Sequence, residues 1–241
     1  MNIMTTTSAP SMEEILQPVS TASGQPRRYG DFASFPEALD YAAQGTAGFN
    51  IYSGKGVLLE ALPYSVLRTQ AMETARRLLG MGLQTGDRVA IVAESDGDFA
   101  RIFFGCQYAG LVAAPLPLPV AFGGKDAYLT TLRGMIKSAQ ASAVVIPAII
   151  EGWTDEIVSG LGLVFAGSPT ELMARPAPDM PLPAIKPEAL SYLQFSSGST
   201  RFPMGVCVSH LSGMANVAAI AHDRSEERRV GIEWRSRVSP D

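Results

Sequence analysis

The chain has 241 residues, of which 46% are hydrophobic, and its formal net charge at pH 7 is −4. A chain of this length and apolarity can bury a core, and its mild acidity without a basic stripe argues against a nucleic-acid partner. The longest apolar runs, such as residues 111–120, are short and broken by prolines, so no transmembrane segment of roughly 20 residues is predicted.

The N-terminal residues and the cysteines indicate a cytoplasmic location. Residues 1–28 are rich in Ser, Thr and Pro, and they have neither the charged start nor the long apolar centre of a secretory signal, so we expect a flexible head. Cys106 and Cys207 lack metal-ligand spacing, which is typical of buried, reduced thiols. His210 and His222 likewise form no metal cluster, and no metal-binding residue is predicted.

Alternating helix and strand patterns follow in chain order. Apolar positions at helical spacing between residues 63 and 82 predict a helix with one buried face. Residues 88–93 suit a buried strand, and Ser95 is expected to cap the next helix, which ends at Gly110. The other predicted elements are strands at 111–114, 143–146, 163–166 and 190–195, a helix at 127–139 and a helical segment at 213–221.

This alternation predicts an α/β fold, layered, with largely parallel sheets that helices cover on both faces. Residues 168–187 are rich in proline and lack apolar periodicity, which indicates a surface connector leading to the strand at 190–195. In open α/β sheets, ligands bind at the carboxyl ends of strands. We therefore expect a binding site directly after residue 195.

The loop after residue 195 has the composition of a phosphate-binding turn. Its residues Ser196, Ser197, Gly198, Ser199 and Thr200 combine hydroxyl donors with a glycine that lets the backbone approach a ligand. Successive main-chain N–H groups in such a turn form an anion site, which indicates ATP. Composition and spacing alone favour a phosphate-binding loop and an ordinary surface turn about equally, because Ser/Gly clusters often follow strands.

Two other nucleotide-binding patterns fail on their spacing. A P-loop NTPase requires Gly-x-x-x-x-Gly-Lys-Ser/Thr, which the glycine-lysine pairs at residues 54–56 and 124–126 do not match. A dinucleotide-binding fold requires Gly-x-Gly-x-x-Gly, and the run that begins at Gly160 has Phe165 where a small residue is needed.

The segment from Leu193 to Val206 resembles the nucleotide-binding loop of adenylate-forming enzymes, the superfamily of acyl-CoA synthetases and peptide-synthetase adenylation domains. Arg201 is typical of one branch, the fatty acyl-AMP ligases, in which the lysine that many members carry at the position of Met204 is often replaced. The similarity runs in order from about residue 32 to residue 222. The segments that carry it upstream are 49–53, 62–64, 86–91, 98–99, 103–110, 115–119 and 123–124.

This resemblance implies an ATP-dependent fatty acid ligase. In that family the carboxylate of a fatty acid attacks the α-phosphate of ATP, whose phosphates Mg²⁺ bridges, and the products are acyl-adenylate and pyrophosphate. Residues 196–200 with Gly205 would bind the nucleotide, and no residue of this chain would be a covalent catalyst. The branch implies an acyl carrier protein or a polyketide synthase as acceptor, in lipid or polyketide biosynthesis.

The resemblance covers a truncated N-terminal adenylation domain, residues 29–223. The family's later histidine segment, its adenine motif with a metal-binding glutamate, its ribose-binding aspartate and its C-terminal lysine have no match here, so we expect this chain alone to be inactive. A non-catalytic fragment and another acyl-CoA synthetase-type ligase remain alternatives.

Residues 224–241 differ in character from the rest of the chain. They contain five arginines in eighteen residues and few apolar positions at any period. The run from Arg224 to Gly231 is what the sequencing-adapter string AGATCGGAAGAGCGTCGTGTAGGG would encode in frame. We expect a non-native read-through, with a genuine basic tail as the alternative.

Overall fold

The computed structural model describes residues 16–26, 28, 30–92, 96–119, 124–195 and 204–222. Eight strands lie within these ranges: β1 (Gly48–Tyr52), β2 (Leu58–Pro63), β3 (Arg88–Val92), β4 (Val112–Leu116), β5 (Ala141–Val145), β6 (Phe165–Gly167), β7 (Leu190–Phe195) and β8 (Gly205–Ser209). The helices are α1 (Phe35–Ala42), α2 (Tyr64–Gly80), α3 (Gly97–Ala109), α4 (Gly124–Ala139), α5 (Thr154–Val158), α6 (Pro169–Met173) and α7 over residues 210–222, with a 3-10 helix at Ala148–Trp153.

The central sheet confirms the predicted α/β fold. It has six strands in the order β6-β5-β3-β4-β7-β8, and every neighbouring pair is parallel except the antiparallel pair of β7 and β8. The strands β1 and β2 form a separate antiparallel hairpin. No helix within the described ranges is long and apolar enough to cross a membrane.

The core lies between this sheet and the helices on its two faces. On one face α2 and α3 pack against β3 and β4, and the four apolar residues of α2 that carry the helical period have no exposed surface: Leu67, Ala71, Ala75 and Leu78. On the other face α4 packs against β3 and β5 through residues such as Leu132 and Ile136. Both faces of β3 are therefore covered, which explains its continuous apolar sequence.

Three local expectations need correction. The side chain of Asp96, not Ser95, caps α3 by accepting a hydrogen bond from the N–H of Phe99 at 2.8 Å. The expected connector at 168–187 contains the short helix α6, because Ser168 and Glu171 form a capping box. Cys106 is buried as predicted, whereas Cys207 is exposed on β8.

The predicted boundaries of the head and the tail fall largely outside the described residues, since 1–15 and 223–241 are not among them. Within the head, the main chain of Val19 exchanges two hydrogen bonds with the Asn50 side chain, at 2.8 and 2.9 Å. The described part of the head therefore contacts the β1–β2 hairpin.

Candidate nucleotide-binding site

The hairpin of β7 and β8 positions the predicted phosphate-binding loop. These strands pair from Phe195 and Gly205 at the loop end of the hairpin to Leu190 and Ser209 at the other end. Residues 196–204 therefore connect the two strands directly. Because β7 is parallel to β4, its carboxyl end lies at the same sheet edge as the carboxyl ends of β3, β4 and β5. The loop thus starts at the edge where α/β sheets bind ligands.

The predicted site residues divide into two groups. Ser196, Ser197, Gly198, Ser199 and Thr200 lie outside the described residues. Gly205 is described, at the first position of β8. A Cβ atom at Gly205 would lie 3.2 Å from the nearest ring atom of Phe195, its partner across the hairpin. The glycine therefore lets the Phe195 ring lie across the start of β8, next to the loop.

Met204, at the position of the family's lysine, is 67% exposed. Its side chain is uncharged and does not belong to the core, so the structure gives it no electrostatic role toward a phosphate.

His210 begins the helix that follows β8, and it is buried with 1% exposed surface. Its Nδ1 accepts a hydrogen bond from the main-chain N–H of Phe35 at 3.3 Å, and its ring lies 5.8 Å from the Phe35 ring. Burial lowers the pKa of His210 to about 4, because the charged imidazolium is poorly solvated there. A neutral imidazole in this position joins α1 to the end of the β7–β8 hairpin.

A buried polar contact joins β7 to α3. The side chains of Gln107 on α3 and Ser191 on β7 have no exposed surface, and the Ser191 hydroxyl donates to Gln107 Oε1 at 2.5 Å. Sequence reasoning missed this pair. Its two residues are far apart in the chain, and each lies in an otherwise apolar run.

A pocket of about 480 Å³ opens between β1 and α3. Its lining is mostly aromatic and aliphatic: Phe49, Asn50, Ile51, Tyr52, Asp96, Phe99, Ala100, Phe103 and Phe104. The Phe103 ring also contacts the Tyr192 ring of β7, with centroids 6.0 Å apart. Phe103 and Phe104 therefore pack against the core and also line this pocket.

The α3 helix beside this pocket is tied to the β1–β2 hairpin by Arg101. This guanidinium pairs with Glu60 of β2 and with Asp98 at 3.1 Å, and it donates to Gln70 at 2.7 Å. Burial raises the pKa of Asp98, and the charge of Arg101 opposes this shift. The arrangement is a structural ion-pair network rather than a metal site. Among the described residues, no group of three or more His, Cys, Asp or Glu side chains could hold a metal ion.

The sheet, with a hydroxyl-rich loop at its carboxyl edge, defines the chain as an α/β protein of the class that binds ligands beyond its strand ends. A family model described as AMP-binding enzyme matches residues 51–235. The chain belongs to this family, whose members form adenylates.

Two curated relatives are similar over much of this chain. The putative acyl-CoA synthetase of Caulobacter vibrioides is 46% identical over 227 residues, which cover 92% of this chain and 39% of that protein. The long-chain-fatty-acid–AMP ligase FadD26 of Mycobacterium marinum is 32% identical over 164 residues, which cover 66% of this chain and 27% of that ligase. The chain thus spans about two fifths or less of the length of these relatives.

Solved structures agree with this assignment. A structure from studies of the fatty acyl-adenylate ligases of E. coli and L. pneumophila matches with a TM-score of 0.78 and 40% identity, over 82% of this chain and 36% of its own. The L. pneumophila fatty acyl-adenylate ligase in complex with acyl adenylate and pyrophosphate matches with a TM-score of 0.63 and 25% identity, over 76% and 31%. The predicted resemblance to fatty acyl-AMP ligases is confirmed.

Proposed function

We propose that this chain supplies the ATP-polyphosphate-binding part of a fatty acyl-AMP ligase. In the complete reaction, a carboxylate oxygen of the fatty acid attacks the α-phosphorus of ATP, and the bond from that phosphorus to the bridging oxygen of pyrophosphate breaks. The products are acyl-adenylate and pyrophosphate. Family membership and the 46% and 32% identical relatives support this assignment.

The observation that carries the proposal is the position of the loop. The loop 196–204 begins where β7 ends, at the carboxyl edge of the central sheet, and β7 is parallel to its neighbour β4. There the main-chain N–H groups and hydroxyls of Ser196–Thr200 would bind the β- and γ-phosphates, and Gly198 would allow close backbone approach. Gly205 would keep the second strand close to Phe195 at the base of the loop.

The chain acts by binding and orienting ATP through the main chain and hydroxyls of the loop, and no side chain is assigned as a nucleophile. Positioning two reactants and stabilising phosphate charge account for most of such a rate enhancement. Mg²⁺ is the metal that the family implies, as a partner of the ATP phosphates. The described residues offer no set of ligands for it, so no step is assigned to a metal held by this chain.

We further propose the substrate, the acceptor and the domain limits. The names of the relatives favour a fatty acid as substrate. The fatty acyl-AMP ligase branch favours transfer to an acyl carrier protein or a polyketide synthase, in the cytoplasm. Residues 29–223 would form the adenylation part, while the head 1–28 and the segment 224–241 would lie outside it.

Exchange of labelled pyrophosphate into ATP tests the proposal. We define the fused enzyme as residues 1–222 of this chain joined to the remaining part of the Caulobacter relative, which is 46% identical. We expect fatty-acid-dependent exchange by the fused enzyme and none by the 241-residue chain. Substantial exchange by the chain alone would contradict the expected need for further residues. A cooperatively melting fused enzyme that catalyses no exchange with any fatty acid would contradict the assigned activity.

The acceptor separates the proposal from its nearest alternative. The same fused enzyme, loaded with acyl-adenylate, should release AMP when given a phosphopantetheinylated carrier protein. Faster release with coenzyme A would instead favour an acyl-CoA synthetase, which is what the name of the Caulobacter relative suggests. Because the downstream part of the fused enzyme comes from that relative, the comparison needs the intact relative as its control.

A further inference from the structure

The buried pair Gln107 and Ser191 makes a two-point contact between α3 and β7. The Ser191 hydroxyl donates to Gln107 Oε1 at 2.5 Å, and Gln107 Nε2 donates to the Ser191 carbonyl oxygen at 3.2 Å. The same Nε2 also donates to the carbonyl oxygen of Phe103 at 3.3 Å. Both side chains have no exposed surface, so water is not available to replace any of these bonds.

Ser191 lies where the pairing of β7 is irregular. Across the β7–β8 hairpin, Leu190 faces Ser209 and Tyr192 faces Val208, so the register shifts at Ser191 as in a β-bulge. On the other side, β4 contributes one register pair to β7 among the described residues, Ala113 with Tyr192. Main-chain pairing around Ser191 therefore specifies the register of β7 weakly, and the side chain of Gln107 binds the irregular residue itself.

We propose that Gln107 is a positioning residue for the loop at 196–204. By holding Ser191 through both its hydroxyl and its carbonyl, Gln107 fixes the bulge and thereby the register of the hairpin that presents the loop. A one-residue slip of β7 would exchange buried Leu193 with exposed Gln194 and displace the start of the loop by one residue. The effect on phosphate binding rests on the proposed function, whereas the effect on the hairpin does not.

Hydrogen exchange of the 241-residue chain tests the proposed effect of Gln107 on the β7–β8 hairpin. In Gln107→Leu, we expect the amides of residues 192–195 and 205–208 to exchange about tenfold faster or more, relative to the amides of β3, because a buried donor and acceptor on β7 lose their partners. Ser191→Ala removes the hydroxyl and one bond only, so it should give a smaller change with the same distribution. This second variant keeps the test available if Gln107→Leu does not fold.

Thr74→Val is the matched control. Thr74 is fully buried on α2, donates to the Gln70 carbonyl oxygen at 2.8 Å and faces Gly105 of α3, but it belongs to the α2–α3 contact and not to β7. Its loss should accelerate exchange in β3 and in the hairpin to the same extent. Uniform acceleration in Gln107→Leu, as in this control, would overturn the proposal, because Gln107 would then be an ordinary core residue.

Gln107→Glu adds a pH-dependent readout, in which the loss of protection should be larger in the hairpin than in β3 if the hydrogen bonds to Ser191 hold the hairpin. A protonated carboxyl has one donor and one acceptor and can replace the amide, whereas a carboxylate cannot donate to the Ser191 carbonyl. Burial raises the pKa of such a carboxyl. Protection of the hairpin amides of Gln107→Glu from hydrogen exchange, compared with the wild-type chain at each pH, should be near normal in acid. It should fall as the pH rises. Protection that is independent of pH would contradict the assigned hydrogen bonds.

Titration with inorganic pyrophosphate tests the proposed effect of Gln107 on phosphate binding. We expect about tenfold weaker binding by Gln107→Leu and unchanged binding by Thr74→Val, at a temperature where both are folded. Equal affinities in wild type and Gln107→Leu, together with a loosened hairpin, would overturn the link from Gln107 to the loop. If the wild-type chain binds no pyrophosphate, the proposed function fails, while hydrogen exchange still decides the role of Gln107 in the hairpin.

Discussion

The interior strand β3 and the edge strand β8 of the central sheet differ in how far the described residues bury them. In β3 the residues Val89 and Ala90 have no exposed surface, whereas in β8 Val206 is 58% exposed. Interior parallel strands with helices on both faces contribute most of the buried apolar area and hence most of the stability. The β7–β8 hairpin carries the predicted site: β7 packs on the core through Leu193, whereas the edge strand β8 exposes Val206 and Cys207. We therefore expect the interior strands to contribute more to stability than the edge strand β8.

The largest expected contrast comes from truncating one apolar side chain in each region. Leu67→Ala in α2 should lower the free energy of unfolding by about 3 to 5 kcal/mol, because the fully buried leucine leaves a cavity. Val206→Ala in β8 should change it by less than about 0.5 kcal/mol. Urea unfolding measures both values. Equal losses would contradict the contrast between a buried α2 and an exposed edge strand β8.

This contrast also explains what could be predicted from the sequence. The helical spacing of Leu67, Ala71, Ala75 and Leu78 predicted α2 correctly, because a helix that covers one face of a sheet must keep its apolar residues at that period. The strand β7 was also predicted at its observed limits, Leu190–Phe195.

Other features could not be predicted because they depend on contacts between distant residues or on local competition. Ser95 and Asp96 are both good helix-capping residues, so the sequence alone does not choose between them, and the structure has Asp96 at the capping position. The β1–β2 hairpin packs against α2 and is tied to α3 by the Glu60–Arg101 pair, and adjacent residues in the sequence do not reveal these contacts. For the site, the sequence indicated the loop, and the antiparallel β8 that closes it is known from the structure alone.

The pH dependence of stability should sharpen the comparison at the junction of α1 and the hairpin. The pKa of His210 is about 4 in the folded chain and about 6.5 when unfolded, so the unfolded chain binds the extra proton between these values. Stability should therefore be full above about pH 6.5 and fall as the pH is lowered towards 4, by no more than about 3 kcal/mol.

His210→Asn is the control for this pH effect, because an amide oxygen can accept the Phe35 N–H bond and does not titrate. Subtracting its unfolding profile from that of the wild type removes the contribution of the carboxylates. If the two profiles are parallel between pH 6.5 and 4, His210 is not the group responsible.

A smaller effect is expected at the start of α3. Asp96→Ala should lower the free energy of unfolding by about 1 kcal/mol, because the N–H of Phe99 loses its capping acceptor. Asp96→Asn keeps an acceptor and should be nearly neutral. Thermal unfolding of the two variants distinguishes a capping role from a purely electrostatic one, for which both variants should be equally destabilised.

The smallest effect should come from removing residues 224–241. This segment has no periodic apolar face that would offset the entropy of ordering it, so its deletion should leave Tm nearly unchanged. Differential scanning calorimetry of the 223-residue chain checks this expectation. A clear fall in Tm, or strong protection of these amides from hydrogen exchange, would show that the segment packs on the domain and is not a read-through.

The KM for ATP of the fused enzyme, measured for Gly198→Val and for Met204→Ala, tests most directly whether the backbone of the loop binds phosphate. Valine at Gly198 would block close approach of the main chain to the phosphates, so this variant should raise KM about tenfold or more. Met204 is 67% exposed and uncharged, so its truncation should leave KM nearly unchanged. An equal rise in KM for the two variants would contradict the assignment of phosphate binding to the loop backbone.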